Sequence, residues 1–134
     1  MQLEGGCLCG AVRYRVEALA SDVADYCHCS QCRKASGAPV VAWIQVPPDR
    51  FAVTKGEARA FRSSARAQRW FCGECGGQVY MTDDEGRSVG VTLGSLDDPS
   101  AVKPTVHGWA SAQISWLCLT DDLPRYEREP PYDL

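Results

Sequence analysis

Eight cysteines in 134 residues constrain this chain more than any other feature, because seven of them fall into three tight groups. Cys7 and Cys9 sit in GCLCG, Cys27, Cys29 and Cys32 in CHCSQC, and Cys72 and Cys75 in FCGECGG, while Cys118 stands alone. The opening MQLEGGCLCG has neither a basic segment nor an apolar one, so no signal peptide is expected and the expected compartment is the cytoplasm. Thiols in a reducing compartment are expected to bind metal or do chemistry rather than form disulfides.

The spacings sharpen that expectation. Residues i and i+2 of a strand share a face, so a strand through Cys7 and Cys9 would aim both sulfurs at one ion. Cys72 and Cys75 have the C-x-x-C spacing, followed by glycines that let the backbone curl its N–H groups toward sulfur. Each pair supplies half of a tetrahedral site. Two partitions compete. Cys29 and Cys32 could join Cys72 and Cys75 in a zinc ribbon, leaving Cys7, Cys9 and Cys27 over. Alternatively Cys7, Cys9, Cys72 and Cys75 close one site and Cys27, Cys29 and Cys32 form another. Spacing alone leans slightly to the first, since paired C-x-x-C is the commoner zinc pattern. Zinc itself is inferred from the sulfur ligands, because iron also accepts four thiolates.

Between the cysteines the chain reads as β. Val12, Tyr14 and Val16 alternate with Arg13, Arg15 and Glu17. VVAWIQV ends at Pro47, RFAVTKG at Gly56, and RAFRSS and QRWFC precede the cysteine turn. QVYMT and SVGVTLGSL flank the turn DDEG, and ISWLCL is expected as a last apolar strand. One short helical turn is expected over SQCRKAS, ended by Gly37. The expected organisation is one domain over residues 1–126 with a polar, Pro-rich tail over residues 127–134, lying on the surface or loosely ordered. No run is apolar and long enough to span a bilayer. A net charge of −3, which thiolate-bound zinc would make more negative, argues against a nucleic-acid partner.

GGCLCGAVRY, CHCSQCRKASGAP, WFCGECGG, GSLDDP and HGWASAQISWL…LPRYE follow one another as in the glutathione-dependent formaldehyde-activating enzyme (GFA) family, which the chain resembles over nearly its whole length. Centromere protein V carries a domain of the same kind. The resemblance implies the second partition and a β fold built around zinc, of the type called Mss-four-like or β-tent. It implies a structural Zn²⁺ on Cys7, Cys9, Cys72 and Cys75 and a catalytic, more labile Zn²⁺ on Cys27, Cys29 and Cys32. It also implies a small thiol and a small aldehyde as substrates: glutathione attacks formaldehyde to give S-hydroxymethylglutathione, and the reverse reaction makes the class carbon–sulfur lyase. Three thiolates make zinc a poor activator of water and a good host for a fourth, substrate thiolate. A homo-oligomer is left open.

The remaining candidates surround that site. Arg33 and Lys34 follow the last ligand and could hold a substrate carboxylate or the sulfurs, or simply face solvent. The backbone N–H groups of Ser30 and Gln31 are expected to point at sulfur. His28 should point away from its cysteine neighbours and ligate nothing. His107 could reach the open position or carry a proton, although a part-buried loop histidine is the commoner outcome. Cys118 is expected as a buried core thiol. Trp43, Trp70, Trp109 and Trp116 are expected mostly in the core, Trp109 being the best candidate for a pocket wall. Arg59, Arg62, Arg66 and Arg69 are expected on a solvated face. Against the enzyme stand a zinc-stabilised binding module without catalysis and a thiol-based redox or metal-responsive protein.

Overall fold

The computed structural model describes residues 1–132 and is mainly β. Strands β1 (Gln2–Gly6), β2 (Arg13–Glu17) and β5 (Phe51–Lys55) form an antiparallel three-stranded sheet in the order β1-β2-β5. The second sheet has seven strands: β3 (Ala24–Cys27), β4 (Val41–Val46), β6 (Ala58–Arg62), β7 (Ala67–Cys72), β8 (Gln78–Asp83), β9 (Val89–Thr92) and β10 (Val106–Gly108). Its order is β10-β3-β4-β9-β8-β7-β6, and only the β10–β3 pair is parallel.

The core lies where the two sheets face each other. The alternation read in β2 is realised: Val12, Tyr14 and Val16 are buried and meet Ile44, Val46, Val79 and Val91 of the larger sheet. Tyr14 brings its hydroxyl into this core and bonds it to Ser95 Oγ at 2.7 Å, as a buried phenol requires. Gly5 runs alongside, where a Cβ would collide with Tyr14 Oη and the Ser95 carbonyl.

The helix expected over SQCRKAS is α1 (Ser30–Ser36). It begins with Cys29 Sγ accepting from Cys32 N–H, and it stops at Gly37, whose φ of 70° is left-handed. The β8–β9 hairpin turns over DDEG as the sequence indicates. Three expectations are corrected. Cys7 and Cys9 lie in a turn after β1, not on a strand. ISWLCL is irregular, since its backbone pairs with no sheet, and Cys118 and Trp116 within it are exposed rather than core. Trp109 is also 38% exposed, at a left-handed φ of 53° that few non-glycine residues adopt.

After β10 the chain returns as a strap. Tyr126 N–H donates to the His107 carbonyl, and Trp109 N–H donates to the Arg128 carbonyl. Pro130 is buried against Gly108. Tyr132 then reaches Asp25 of β3. Of the tail over residues 127–134, residues 127–132 take this course, and Asp133 and Leu134 lie outside the described residues.

Candidate metal centres

Seven thiols converge into two clusters, and all seven are free. In the first, the turn after β1 brings Cys7 and Cys9 to Cys72, at the end of β7, and to Cys75 in the turn that follows. This cluster therefore joins the small sheet to the large one. Cys7 and Cys9 sulfurs are 3.7 Å apart and Cys9 and Cys72 sulfurs 3.8 Å apart. A tetrahedral zinc with Zn–S bonds near 2.3 Å sets a sulfur–sulfur edge of about 3.8 Å, so the donor set fits that ion. Backbone N–H groups support the thiolates: Val12 N–H donates to Cys7 and Glu74 N–H to Cys72, each at 3.3 Å. Backbone N–H groups of Cys9 and Gly77 lower the Cys75 thiol to about 6.

The second cluster is Cys27 at the end of β3, with Cys29 and Cys32 at the start of α1. Cys32 N–H donates to Cys29 Sγ at 3.3 Å, and the Cys27 and Cys32 sulfurs are 3.3 Å apart. That pair is closer than a tetrahedral edge and would open by a few tenths of an ångström around an ion. Contacts from the Cys27 and Cys32 thiols hold Cys29 at about 2, toward thiolate, while the same crowding pushes Cys27 up. All three sulfurs are soft donors free to bind, so the set suits a thiophilic ion such as zinc with three ligands from the chain.

Arg69 of β7 faces this cluster, and this corrects the expectation of a solvated arginine run. It is 5% exposed, and its two terminal nitrogens donate to Cys32 Sγ at 3.6 and 3.7 Å. Its guanidinium stands 6.0 Å from the Trp43 ring centroid. Arg59, Arg62 and Arg66 are exposed as expected, with Arg62 paired to Asp84. Trp43 is buried beside the cluster and Trp70 is half-buried, stacked on Tyr80.

The clusters differ in what lies beside them. Cys27 and Cys32 open onto a cavity of about 470 Å³. Its lining combines apolar Trp43 and Met81, the arginines Arg66, Arg69 and Arg87, and the acceptors Asp25, Asp83, Glu129 and Tyr132. Asp25 lies two residues before Cys27 on β3 and is 2% exposed. Tyr132 Oη donates to Asp25 Oδ2 at 3.1 Å, and Oδ1 has no partner among the described residues. Burial raises Asp25 to about 7. Burial, then the Asp25 charge, pushes the Tyr132 phenol well above its ordinary range, so it keeps its proton.

The other sequence candidates lie elsewhere. Arg33 is half-buried and Lys34 exposed on α1, and neither lines the cavity. His28 stands outside both sulfur clusters. His107 does not join the sulfurs either. Both histidines are fully buried, with their rings stacked 5.1 Å apart. Asp121 can only accept, so His107 Nε2 donates to it at 3.0 Å, His107 Nδ1 accepts, and His28 Nε2 donates to that nitrogen at 2.9 Å. Cys118 joins neither cluster, and Trp109 does not line the cavity.

Sequence reasoning missed Arg69, Asp25 and Tyr132. Alternation along β3 carried a signal for Asp25, since it puts residues 25 and 27 on one face. Arg69 and Tyr132 reach the site only through pairings distant in sequence, which no local pattern encodes.

The fold and these clusters define a small β protein organised around two sets of convergent thiols, one closed and one open to a cavity. The chain belongs to the glutathione-dependent formaldehyde-activating enzyme family, whose model matches residues 2–112. It is 31% identical over 126 residues to a Halomonas elongata protein provisionally named glutathione-dependent formaldehyde-activating enzyme, covering 87% of this chain and 80% of that protein. A crystal structure of a Rhodobacter sphaeroides protein superposes with a TM-score of 0.59 at 28% identity, covering 76% of this chain and 92% of that one. No helix among the described residues is long and apolar enough to cross a membrane.

Proposed function

We propose that this protein makes and breaks the carbon–sulfur bond between a small thiol and a small aldehyde at Cys27, Cys29 and Cys32, with Cys7, Cys9, Cys72 and Cys75 holding a structural zinc. The observation that carries the reading is the contrast in access: the four-sulfur set is complete in itself, whereas the three-sulfur set opens onto the cavity. Family membership supports glutathione and formaldehyde as the type substrates.

A zinc ion held by the three thiolates would supply a soft cation on which an incoming thiol loses its proton at neutral pH. The residues of the chain set the conditions for that. Arg69 donates to Cys32 and offsets part of the negative charge that three thiolates gather, a charge that would otherwise repel a fourth. Trp43 and Met81 keep the reacting end of the cavity apolar, which strengthens every charge interaction there. The sulfur lone pair forms the bond to the carbonyl carbon, and the displaced C=O pair collects on oxygen, which takes up the proton that sulfur lost. The reverse reaction returns both substrates. Arg66, on the cavity wall, is better placed than Arg33 or Lys34 to meet a substrate carboxylate. His107 serves by position, fixing His28 and with it the peptide between two ligands.

The test uses protein loaded with Co²⁺, whose ligand-field bands report sulfur coordination. Glutathione or another low-molecular-weight thiol should change the bands of the open site only, and the loaded protein should accelerate exchange of formaldehyde between its free and thiol-bound forms. Unchanged bands across a panel of thiols, with no acceleration, would refute the reading.

One observation favours a second reading. Cys27 and Cys32 sulfurs, 3.3 Å apart and buried, are poised for exchange with an oxidised low-molecular-weight thiol, which would be reduced as the pair becomes a disulfide. A redox role predicts that this disulfide forms reversibly while the first cluster keeps its metal.

A further inference from the structure

The cavity beside the open cluster is walled in part by residues that the family model does not cover. The match ends at residue 112, yet Glu129, Pro130 and Tyr132 line the cavity together with Cys27 and Cys32. The strap that brings them there is fastened by backbone bonds to β10 and by Pro130 against Gly108, so its course is set by the fold. A wall outside the shared part of the family is where this chain's own selectivity would be written.

That wall has one chemical character. Glu129 is exposed at the cavity and offers carboxylate oxygens. Tyr132 gives its only proton to Asp25 Oδ2, so its oxygen turns lone pairs, not a donor, toward other partners. Asp25 stands behind it as a second, buried carboxyl. Three acceptors thus meet beside a cluster of thiols that is itself negative when ionised. The arginines on the cavity wall are Arg66, Arg69 and Arg87, and two of them are already engaged, Arg69 with Cys32 and Arg87 with Asp83 and Glu85. The Glu129 carboxylate and the ionised thiols repel each other, and a cation bound between the wall and the cluster relieves both.

We infer that the C-terminal strap makes the site select thiols that carry a protonated amine close to sulfur, with Glu129 and Tyr132 Oη accepting from the ammonium group. The inference rests on the reading of the open cluster as a thiol site and deepens it. The amine must be near the sulfur because Asp25 and Cys27 are neighbours on one face of β3, about 6.5 Å apart along the strand. Two carbons between sulfur and nitrogen suit that spacing. Glutathione does not present this group, because the nitrogen next to its cysteine side chain is a neutral amide and its ammonium lies at the far end of the γ-glutamyl arm. The ligand class is therefore the β-aminothiol.

The test compares cysteamine with N-acetylcysteamine, which keeps the sulfur and one N–H, now that of an amide, and loses the charge. Both are titrated into the full chain loaded with Co²⁺, as wild type and as the double variant Glu129→Gln, Tyr132→Phe, whose changes lie on the strap and leave the cysteines untouched. In the wild type cysteamine should bind about tenfold tighter or more than its acetylated form. In the double variant that ratio should fall toward one, through weaker binding of cysteamine rather than tighter binding of its acetylated form. Equal binding of the two probes by the wild type overturns the inference, and so does a variant that keeps the full preference. If no thiol changes the cobalt bands of the wild type, the thiol-site reading itself falls. Should the double variant fail to fold, the wild-type ratio measured at low and at high salt decides, because a preference that rests on charge shrinks as salt screens it.

Discussion

Cys7, Cys9, Cys72 and Cys75 arrive from two sheets, whereas Cys27, Cys29 and Cys32 come from six consecutive residues. The first set meets with sulfur spacings that match a tetrahedron, is braced by backbone N–H groups, and needs nothing further. The second is one sulfur short, carries a buried arginine, and faces a cavity. The same ligand serves two ends. Where sulfurs tie distant elements together, the binding energy of a metal held there would be folding energy. Where they sit on one strand–helix turn, the fold already holds them, and a metal bound there would be free to exchange its remaining position.

Mutations can break or sharpen this contrast. The largest effect is expected for Cys72→Ser, which opens the site that joins the sheets. Structural zinc sites contribute about 10–16 kcal/mol in small domains, more than the usual net stability of a whole domain, so the variant should be largely unfolded by circular dichroism and should lose metal. Cys29→Ser should behave differently, keeping a cooperative thermal transition and one metal equivalent of two while losing the thiol response. If the two variants unfold alike, the contrast is wrong.

Acid probes the open cluster's surroundings. Burial lowers His28 to about 4 from an ordinary 6.5. Between those values the unfolded chain binds a proton that the folded chain refuses, so stability is full above pH 6.5 and falls as the pH drops toward 4. The loss due to this group is about 3 kcal/mol. His28→Gln keeps a donor for His107 and should flatten that part of the pH profile in denaturant titrations, and an unaltered profile would show that His28 is not the group responsible. The smallest effect is expected for Arg69→Met. It should weaken thiol binding at the open cluster about tenfold and leave metal stoichiometry unchanged. A uniform loss of both metals would instead make Arg69 a structural residue.

Much of this was legible in the sequence, for definite reasons. The alternation of Val12, Tyr14 and Val16 is local, and so is the stop at Gly37, and both appear where expected. The division of the cysteines was not derivable from spacing, which leaned toward the ribbon of Cys29, Cys32, Cys72 and Cys75, because spacing says nothing of how two sheets dock. The resemblance to the family pointed to the grouping that the structure shows. Cys118 and Trp116 were misjudged because an apolar run resembles a strand, whereas ISWLCL crosses the surface without a pairing partner. Arg69 was hidden among exposed arginines, since only the pairing of β7 with β8 and the fold around α1 bring it to a cysteine 37 residues away.

The separation between ligands also fixes an order of events. Cys9 and Cys72 are 63 residues apart, and their site exists only after both sheets have met. Cys27, Cys29 and Cys32 are all present once residue 32 has been made, when Cys72 and Cys75 are still to come. A chain emerging from the ribosome therefore completes its three-sulfur set first and its four-sulfur set last. When zinc is scarce, the first ion captured would sit where it does nothing to hold the protein together. Maturation would then depend on that ion being mobile enough to be passed on, or on a second arriving before the unjoined sheets find other partners.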